Sequence, residues 1–368
     1  MQEKRHHICF IMMTLEGGGS ERVMVTIMNN IDRKKYKICL LLMQKKGFFL
    51  ESLRSDIDVV DFKCTQIRYM FPKLVKWLRS EQPDIVFSTI GSLNLCVTIC
   101  SFFTPRKIKH IARESSIPSI GNQVFRIPAI QNFLYRQLYP SIDRIICQSQ
   151  FMKADLVENF GISANQIEVN YNPVEVDEIK KKSLLPCPEM NKDEYNLLAV
   201  GRLNKIKRFH LLIDSFSLIP DKKVKLTILG IGAQEEPLKK RTRQLGIESR
   251  VSFLGFQKNP YRFMKKADAL IVTSKYEGYP NVILEANLCG TPAIAFDVPG
   301  GINEIIREGM NGILVEDHNI NALAQAIQRG QHTDWSEEIM FRMIHERHAK
   351  RTILKSYYDL FENLIQLA

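Results

Sequence analysis

Short apolar runs alternate with helical patterns along the whole chain, and this alternation limits the available folds more than any other feature. Ile8–Met13 reads as a strand, and Gly17-Gly18-Gly19-Ser20 turns from it into a helix running from Glu21 to about Asn30. Tyr36–Met43, Ile85–Ile90, Ile108–Arg113 and Arg144–Ser149 read as further strands, with helical patterns over Pro72–Ser80 and from Ser149 through Phe160. Strand–helix alternation of this kind argues for a parallel sheet covered on both faces.

The pattern breaks near residue 180. Lys180-Lys181-Lys182, Pro186, Pro188 and Asn191 read as a linker. A second series then begins. Leu197–Val200, Val224–Leu229, Val251–Leu254, Ala269–Ser274 and Pro292–Phe296 are expected as strands. Phe209–Leu218, Glu235–Leu245 and Asn281–Cys289 are expected as helices, and a last helical stretch runs from Ser336 to Leu367. At 368 residues two domains are expected. The expected division is a first domain over 1–178, a linker over 179–194, a second domain over 195–340 and a C-terminal helix over 341–368. The fold class is α/β, with two doubly wound Rossmann-like domains facing a cleft. On such sheets ligands sit at the carboxyl ends of the strands, so the cleft is the expected site.

Hydrophobic residues make up 45% and charged residues 25%, an ordinary globular composition. The formal charge of +11 favours anionic partners. It is unevenly spread: Phe62 to Lys153 holds 13 Lys/Arg against 4 Asp/Glu, and Ala154 to Glu178 holds 6 Asp/Glu and no Lys/Arg. The eight cysteines form no C-x-x-C pair, and Cys96 and Cys100 read as core, which fits a reducing cytoplasm. Met1 to His7 reads as no signal peptide. Ile85 to Pro105 carries no charge, but a strand, a glycine turn and a helix over about Leu93–Phe103 explain it better than a membrane span does.

Three constellations carry chemistry. In Gly17-Gly18-Gly19-Ser20-Glu21-Arg22, glycines between a strand and a helix let backbone approach a ligand and offer helix N–H groups to an anion. The spacing is neither a dinucleotide fingerprint nor a P-loop. In Gly201-Arg202-Leu203-Asn204-Lys205-Ile206-Lys207, Arg202 supplies a forked donor pair and Lys207 a point charge for a diphosphate. In Ser274-Lys275-Tyr276-Glu277-Gly278-Tyr279-Pro280-Asn281-Val282-Ile283-Leu284-Glu285-Ala286, Gly278 and Pro280 force a loop between a strand and a helix start. Glu277 and Glu285 then face one pocket, where carboxylates take hydroxyls and N–H groups take phosphate. The lone D-x-D string, Asp56-Ile57-Asp58, is too common to mark a metal site, and His345-Glu346-Arg347-His348 lacks a zinc-binding spacing.

These residues resemble those of the retaining glycosyltransferases of family 4, often called group 1, over nearly the whole chain. The E-x-seven-E block from Glu277 to Glu285 is the most specific part, followed by Gly201-Arg202-Leu203 with Lys207. Gly18-Gly19-Ser20-Glu21-Arg22, Ser149, Asn172-Pro173, Leu254-Gly255 and Gly312 add support. The resemblance implies a GT-B fold and transfer with retained configuration. It implies that Arg202 and Lys207 hold the donor diphosphate and that Glu285 binds the ribose. Glu277 with Gly278, Tyr279, Pro280, Asn281 and Val282 would hold the sugar and the donor. Gly18 and Gly19 would close over the phosphates, and backbone near Phe256 would meet the base. The final helix would cross back to the first domain. Positioned Arg, Lys and helix N–H groups stabilise a leaving diphosphate without a metal, so neither metal nor cofactor is expected beyond the nucleotide sugar as co-substrate.

The chain departs from the family where many relatives carry a histidine near the end of a first-domain strand. Here Arg113 or Glu114 stands, and Glu114 is either a base for the acceptor or a partner of Arg113. Two basic–aromatic segments, Arg68–Arg79 and Phe125 with Arg126, Phe133, Tyr135, Arg136 and Tyr139, suit an anionic membrane face or a packed surface. No recognition motif points to nucleic acid. The expected function is transfer of a hexose or N-acetylhexosamine from a nucleotide sugar to a saccharide or polyprenyl-linked saccharide. A UDP-sugar is the leading donor and a GDP-sugar is left open. The expected setting is bacterial surface polysaccharide or glycan assembly, in the cytoplasm or peripherally on the cytoplasmic membrane face. An alternative is a catalytically inactive nucleotide-sugar-binding or membrane-anchoring partner of another transferase.

Overall fold

The computed structural model describes residues 5–16 and 18–366, so Gly17 lies outside the described residues. The chain divides into two compact units, 1–173 with 350–368, and 174–349.

The first unit is built on a seven-stranded parallel sheet. Its strands are β1 (His6–Met12), β2 (Tyr36–Leu42), β3 (Asp58–Asp61), β4 (Ile85–Thr89), β5 (Lys109–Arg113), β6 (Arg144–Cys147) and β7 (Ile167–Val169). They lie in the order β3-β2-β1-β4-β5-β6-β7. Every pairing is parallel. Parallel neighbours need a crossover, and a right-handed helical one brings the chain back to start the next strand at the same edge. All seven carboxyl ends therefore share one edge. The order reverses between β1 and β4, which is the switch point where such sheets accommodate ligands.

Strand residues buried on both faces explain the continuous apolar runs. Ile8, Phe10 and Met12 pack on one face with Val23, Ile27 and Met28 of the Gly19–Asn30 helix, and Cys9 and Ile11 pack on the other with Leu74, Leu93 and Cys96. All eight cysteines are buried and unbridged. The uncharged Ile85–Pro105 stretch is β4 and the Gly91–Ser101 helix. Among the described residues no helix is long and apolar enough to cross a membrane.

The second unit holds β8 (Tyr195–Val200), β9 (Val224–Leu229), β10 (Val251–Phe253), β11 (Ala269–Val272), β12 (Ala293–Asp297) and β13 (Gly312–Glu316). Their order is β10-β9-β8-β11-β12-β13, all parallel, with the switch point between β8 and β11.

Two expected boundaries need correction. The 179–194 linker begins inside a helix, Val176–Ser183, that belongs to the second unit; Ile179 and Ser183 are its buried face. Its Lys run is the solvated last turn, with favourable charge for a helix C-terminus. The single stretch Ser336–Leu367 is two helices, Glu337–His348 and Lys350–Gln366, divided at Ala349, whose backbone is extended. Residues 341–349 accordingly stay with the second unit. Only the Lys350–Gln366 helix returns to the first. There Tyr357, Leu360, Phe361 and Leu364 join the core on β1, β2 and β4.

Phe361 is fully buried, with its ring near Tyr36, Phe87 and Tyr357. Phe361→Ala is expected to destabilise the first unit by about 3–5 kcal/mol, read as a lower urea midpoint for that unit's transition with the second unit's unchanged.

Candidate active site

The second unit's switch point gathers most of the expected donor residues. The segment after β8 is shaped by Asn204, whose Oδ1 accepts from the N–H groups of Ile206 (3.0 Å) and Lys207 (3.1 Å). It is tied to the segment after β11 at several points. Lys275 N–H donates to the Ile206 carbonyl (2.8 Å), and Thr273 Oγ1 donates to that of Lys207 (3.0 Å). The buried Arg208 donates to the carbonyls of Thr273 (3.0 Å) and Ser274 (2.6 Å) and pairs with Asp317 (2.5 Å). Arg208 thus acts as a brace between the two loops.

On this frame Lys207 Nζ meets Glu277 Oε1 at 2.5 Å, and Ser274 Oγ donates to the same oxygen at 2.6 Å. Both charged side chains are largely shielded, at 25% and 14% exposure. Arg202, in contrast, is exposed. Glu285, at 7% exposure, lies on the Asn281–Leu288 helix, whose N-cap Pro280 makes no side-chain hydrogen bond. An uncapped helix start of this kind attracts anions. Asn281 and Val282 form its half-buried first turn, and Gly278 is buried just before it. Tyr279 is also buried, but its hydroxyl and ring are turned to His348, 3.2 Å away. Only its backbone belongs to the loop. Phe256 is 49% exposed beyond β10, next to Gly255, whose carbonyl accepts from Gly230 N–H at 2.8 Å.

Three glycines absent from the expected set shape these loops. Gly230 and Gly232 have φ of +142° and +159°, and a Cβ on either would collide with the backbone of Gly201 or Leu203. Gly300 (φ +127°) presses on the Glu277 backbone, which Gly301 N–H bonds at 3.1 Å. The signal was present as Gly-Ile-Gly directly after β9 and Pro-Gly-Gly one residue beyond β12, the usual mark of close backbone approach.

In the first unit, Gly18 is the N-cap of the Gly19–Asn30 helix and gives it no side-chain hydrogen bond. Glu114 follows β5 and is 1% exposed. Its Oε1 accepts from the hydroxyls of Tyr139 and Tyr135 (3.4 Å) and from Asn94 Nδ2 (3.1 Å). The expectation of Glu114 as a catalytic base is therefore corrected. Its carboxylate is enclosed by core donors. It does not pair with Arg113 either, which is buried elsewhere in the unit. Burial pushes Glu114 up to about 7, against the lowering effect of those three hydrogen bonds. His110 lies earlier on β5, 2.8 Å from Ser88 Oγ, and burial pushes it down to about 3. Of the second basic–aromatic segment, Tyr135 and Tyr139 are core residues. Phe125 and Phe133 are exposed beside Val124, Ile127 and Ile130.

Comparison with known proteins decides what this arrangement belongs to. The family model for glycosyl transferases group 1 matches residues 182–337, and that for Glycosyltransferase Family 4 matches residues 17–178. The N-acetylgalactosamine-N,N'-diacetylbacillosaminyl-diphospho-undecaprenol 4-alpha-N-acetylgalactosaminyltransferase of Campylobacter jejuni is 30% identical over 86% of this chain and 87% of that protein. The chain belongs to the family 4, group 1 glycosyltransferases. This glycosyltransferase is also 28% identical to the lipopolysaccharide 1,6-galactosyltransferase of Escherichia coli, over 85% of this chain and 86% of that one. Among solved structures it matches Anabaena HepE in complex with UDP, with a TM-score of 0.81 at 21% identity over 97% of this chain and all of that one. It matches the lipopolysaccharide outer core galactosyltransferase WaaB with a TM-score of 0.74 at 24% identity, over 97% and 99%. These likenesses establish the GT-B fold.

Two outcomes follow for the glycosyltransferase. Because Glu114 is raised in the folded state, folded protein holds a proton that unfolded protein has lost between pH 4.5 and about 7. Stability should fall as pH climbs through that window, and Glu114→Gln, which keeps an Oε1 acceptor, should flatten the fall. Urea midpoints from pH 4 to 8 test this. Gly300→Ala should shift Glu277 and weaken donor binding, with β12 intact by circular dichroism.

Proposed function

We propose that this glycosyltransferase moves a hexose or N-acetylhexosamine from a UDP-sugar, with retention and without a metal, to a saccharide carried on a polyprenyl diphosphate, in bacterial surface glycan assembly. The observation that carries the reading is the shielded Lys207–Glu277 pair at the switch point, beside exposed Arg202 and an uncapped helix. Anion-binding groups and hydroxyl acceptors stand together there. In this reading Arg202, Lys207 and the helix N–H groups stabilise charge on the departing diphosphate. Glu277 takes sugar hydroxyls, and Glu285 those of the ribose. The bond from the anomeric carbon to the β-phosphate oxygen breaks and UDP leaves with the bonding pair. The acceptor oxygen bonds to the same face, and its proton passes to the departing phosphate oxygen, since Glu114 is enclosed. UDP in the HepE structure and the diphospho-undecaprenol acceptor in the name of the Campylobacter relative support the donor and acceptor classes.

The proposal extends to a peripheral place on an anionic membrane face. Val124, Phe125, Ile127, Ile130 and Phe133 are exposed within ten residues, at 41–73%. From Ser115 to Ile142 there is no acidic residue, while Arg126 and Arg136 are present. Apolar side chains flanked by cations suit an anionic lipid surface.

UDP should raise the melting temperature with or without EDTA, and Arg202→Ala should abolish the shift. No shift with any nucleoside diphosphate would remove the donor assignment. A shift without release of nucleotide from any UDP-sugar would leave an inactive binding partner. In a separate experiment, sedimentation with phosphatidylglycerol vesicles should be lost on replacing Phe125, Ile130 and Phe133 by Ser, with UDP binding retained.

A further inference from the structure

Among the described residues, one buried arginine lies in the first unit. Arg113, at the end of β5, is 0% exposed. Its partners are neutral: Nη2 donates to Asn172 Oδ1 at 2.6 Å, and Nη1 lies 3.5 Å from Ser20 Oγ. The Tyr357 phenol lies beside it, and Nε has no partner. No carboxylate among the described residues is within ion-pair reach of the guanidinium. A buried charge without a counter-ion is costly, so its placement asks for an anion nearby.

The place for one is beside Ser20. Ser20 is the second residue of the Gly19–Asn30 helix, a twelve-residue helix with no side-chain bond from its N-cap. Its hydroxyl also lies 3.4 Å from Thr89 Oγ1, at the end of β4. The contact therefore spans β1 and β4, the first unit's switch point. The Glu21 carboxylate folds back over Gly18, so this helix end already draws an anionic group from the chain.

We propose that Arg113 is a positioning residue for a diphosphate bound at the N-terminus of the Gly19–Asn30 helix. It holds Ser20 to Asn172 and adds positive potential from behind the helix end, while Glu21, at the end of a flexible side chain, gives way to the ligand. The inference rests on the transferase reading and deepens it. The diphosphate belongs either to the nucleotide sugar or to the polyprenyl-linked acceptor.

Calorimetry on the full chain separates these, with UDP and farnesyl diphosphate as probes. Arg113→Met should weaken one of the two by about tenfold, the scale of a lost charge-assisted hydrogen bond, and Arg113→Lys should recover part of it. Loss confined to UDP assigns the donor; loss confined to farnesyl diphosphate assigns the acceptor. A folded Arg113→Met protein that binds both as wild type does would overturn the proposal. If Arg113→Met does not fold, Ser20→Ala decides: severalfold weaker binding supports the link, and unchanged binding refutes it. Wild-type protein that binds neither probe would instead sink the transferase reading itself, whereas Arg202→Ala losing UDP in the same series would keep that reading standing whatever Arg113 does.

Discussion

Parallel pairing is the constraint from which the rest of this molecule follows. A parallel neighbour is reached only by carrying the chain back across the sheet, so every strand begins at one edge and ends at the other. Thirteen strands in two sheets obey this rule. Each sheet therefore collects its loops on one edge, and at the switch points two adjacent loops diverge and leave room. The Lys207–Glu277 pair and the Ser20–Thr89 contact occupy those two places.

Charge is distributed between these loops by function of position. Arg208 and Lys207 are neighbours in sequence, yet Arg208 is buried against carbonyls and Asp317, whereas Lys207 reaches Glu277. The left-handed backbone of Arg208, φ +47°, separates their directions. Holding Lys207 against a carboxylate keeps a cation desolvated and oriented before any anion arrives, and such preorganisation gives electrostatic stabilisation its strength. Arg113 shows the other arrangement, a cation held only by neutral groups.

Much of this was legible in the sequence. Nine of the ten strands legible in the sequence are inner strands, covered on both faces, and the tenth, β10, is an edge that Val251, Phe253 and Leu254 still mark. β3 and β7 escaped because they are sheet edges, short and partly exposed, where polar residues are tolerated. β13 is also an edge and was noticed only as a glycine motif. The Glu277 to Glu285 block announced its loop and helix because Gly and Pro punctuate backbone in a local way. Glu114 was misread for the opposite reason. Its surroundings come from Asn94, Tyr135 and Tyr139, far apart in sequence, and burial is a property of the assembled core. The Val176–Ser183 helix was hidden by its own charges, since a solvated helical turn and a linker share a composition.

The first unit is interrupted: its chain leaves at Pro173 and returns at Lys350. Tyr357, Leu360, Phe361 and Leu364, which seal its core, are delivered by a ribosome only after the whole of the second unit. During synthesis the second unit can fold as soon as it emerges, while the first must wait with an open apolar face over β1, β2 and β4. Domains otherwise tend to fold in order from the N-terminus. Here that order is reversed, and the interval of vulnerability to aggregation falls on the first unit.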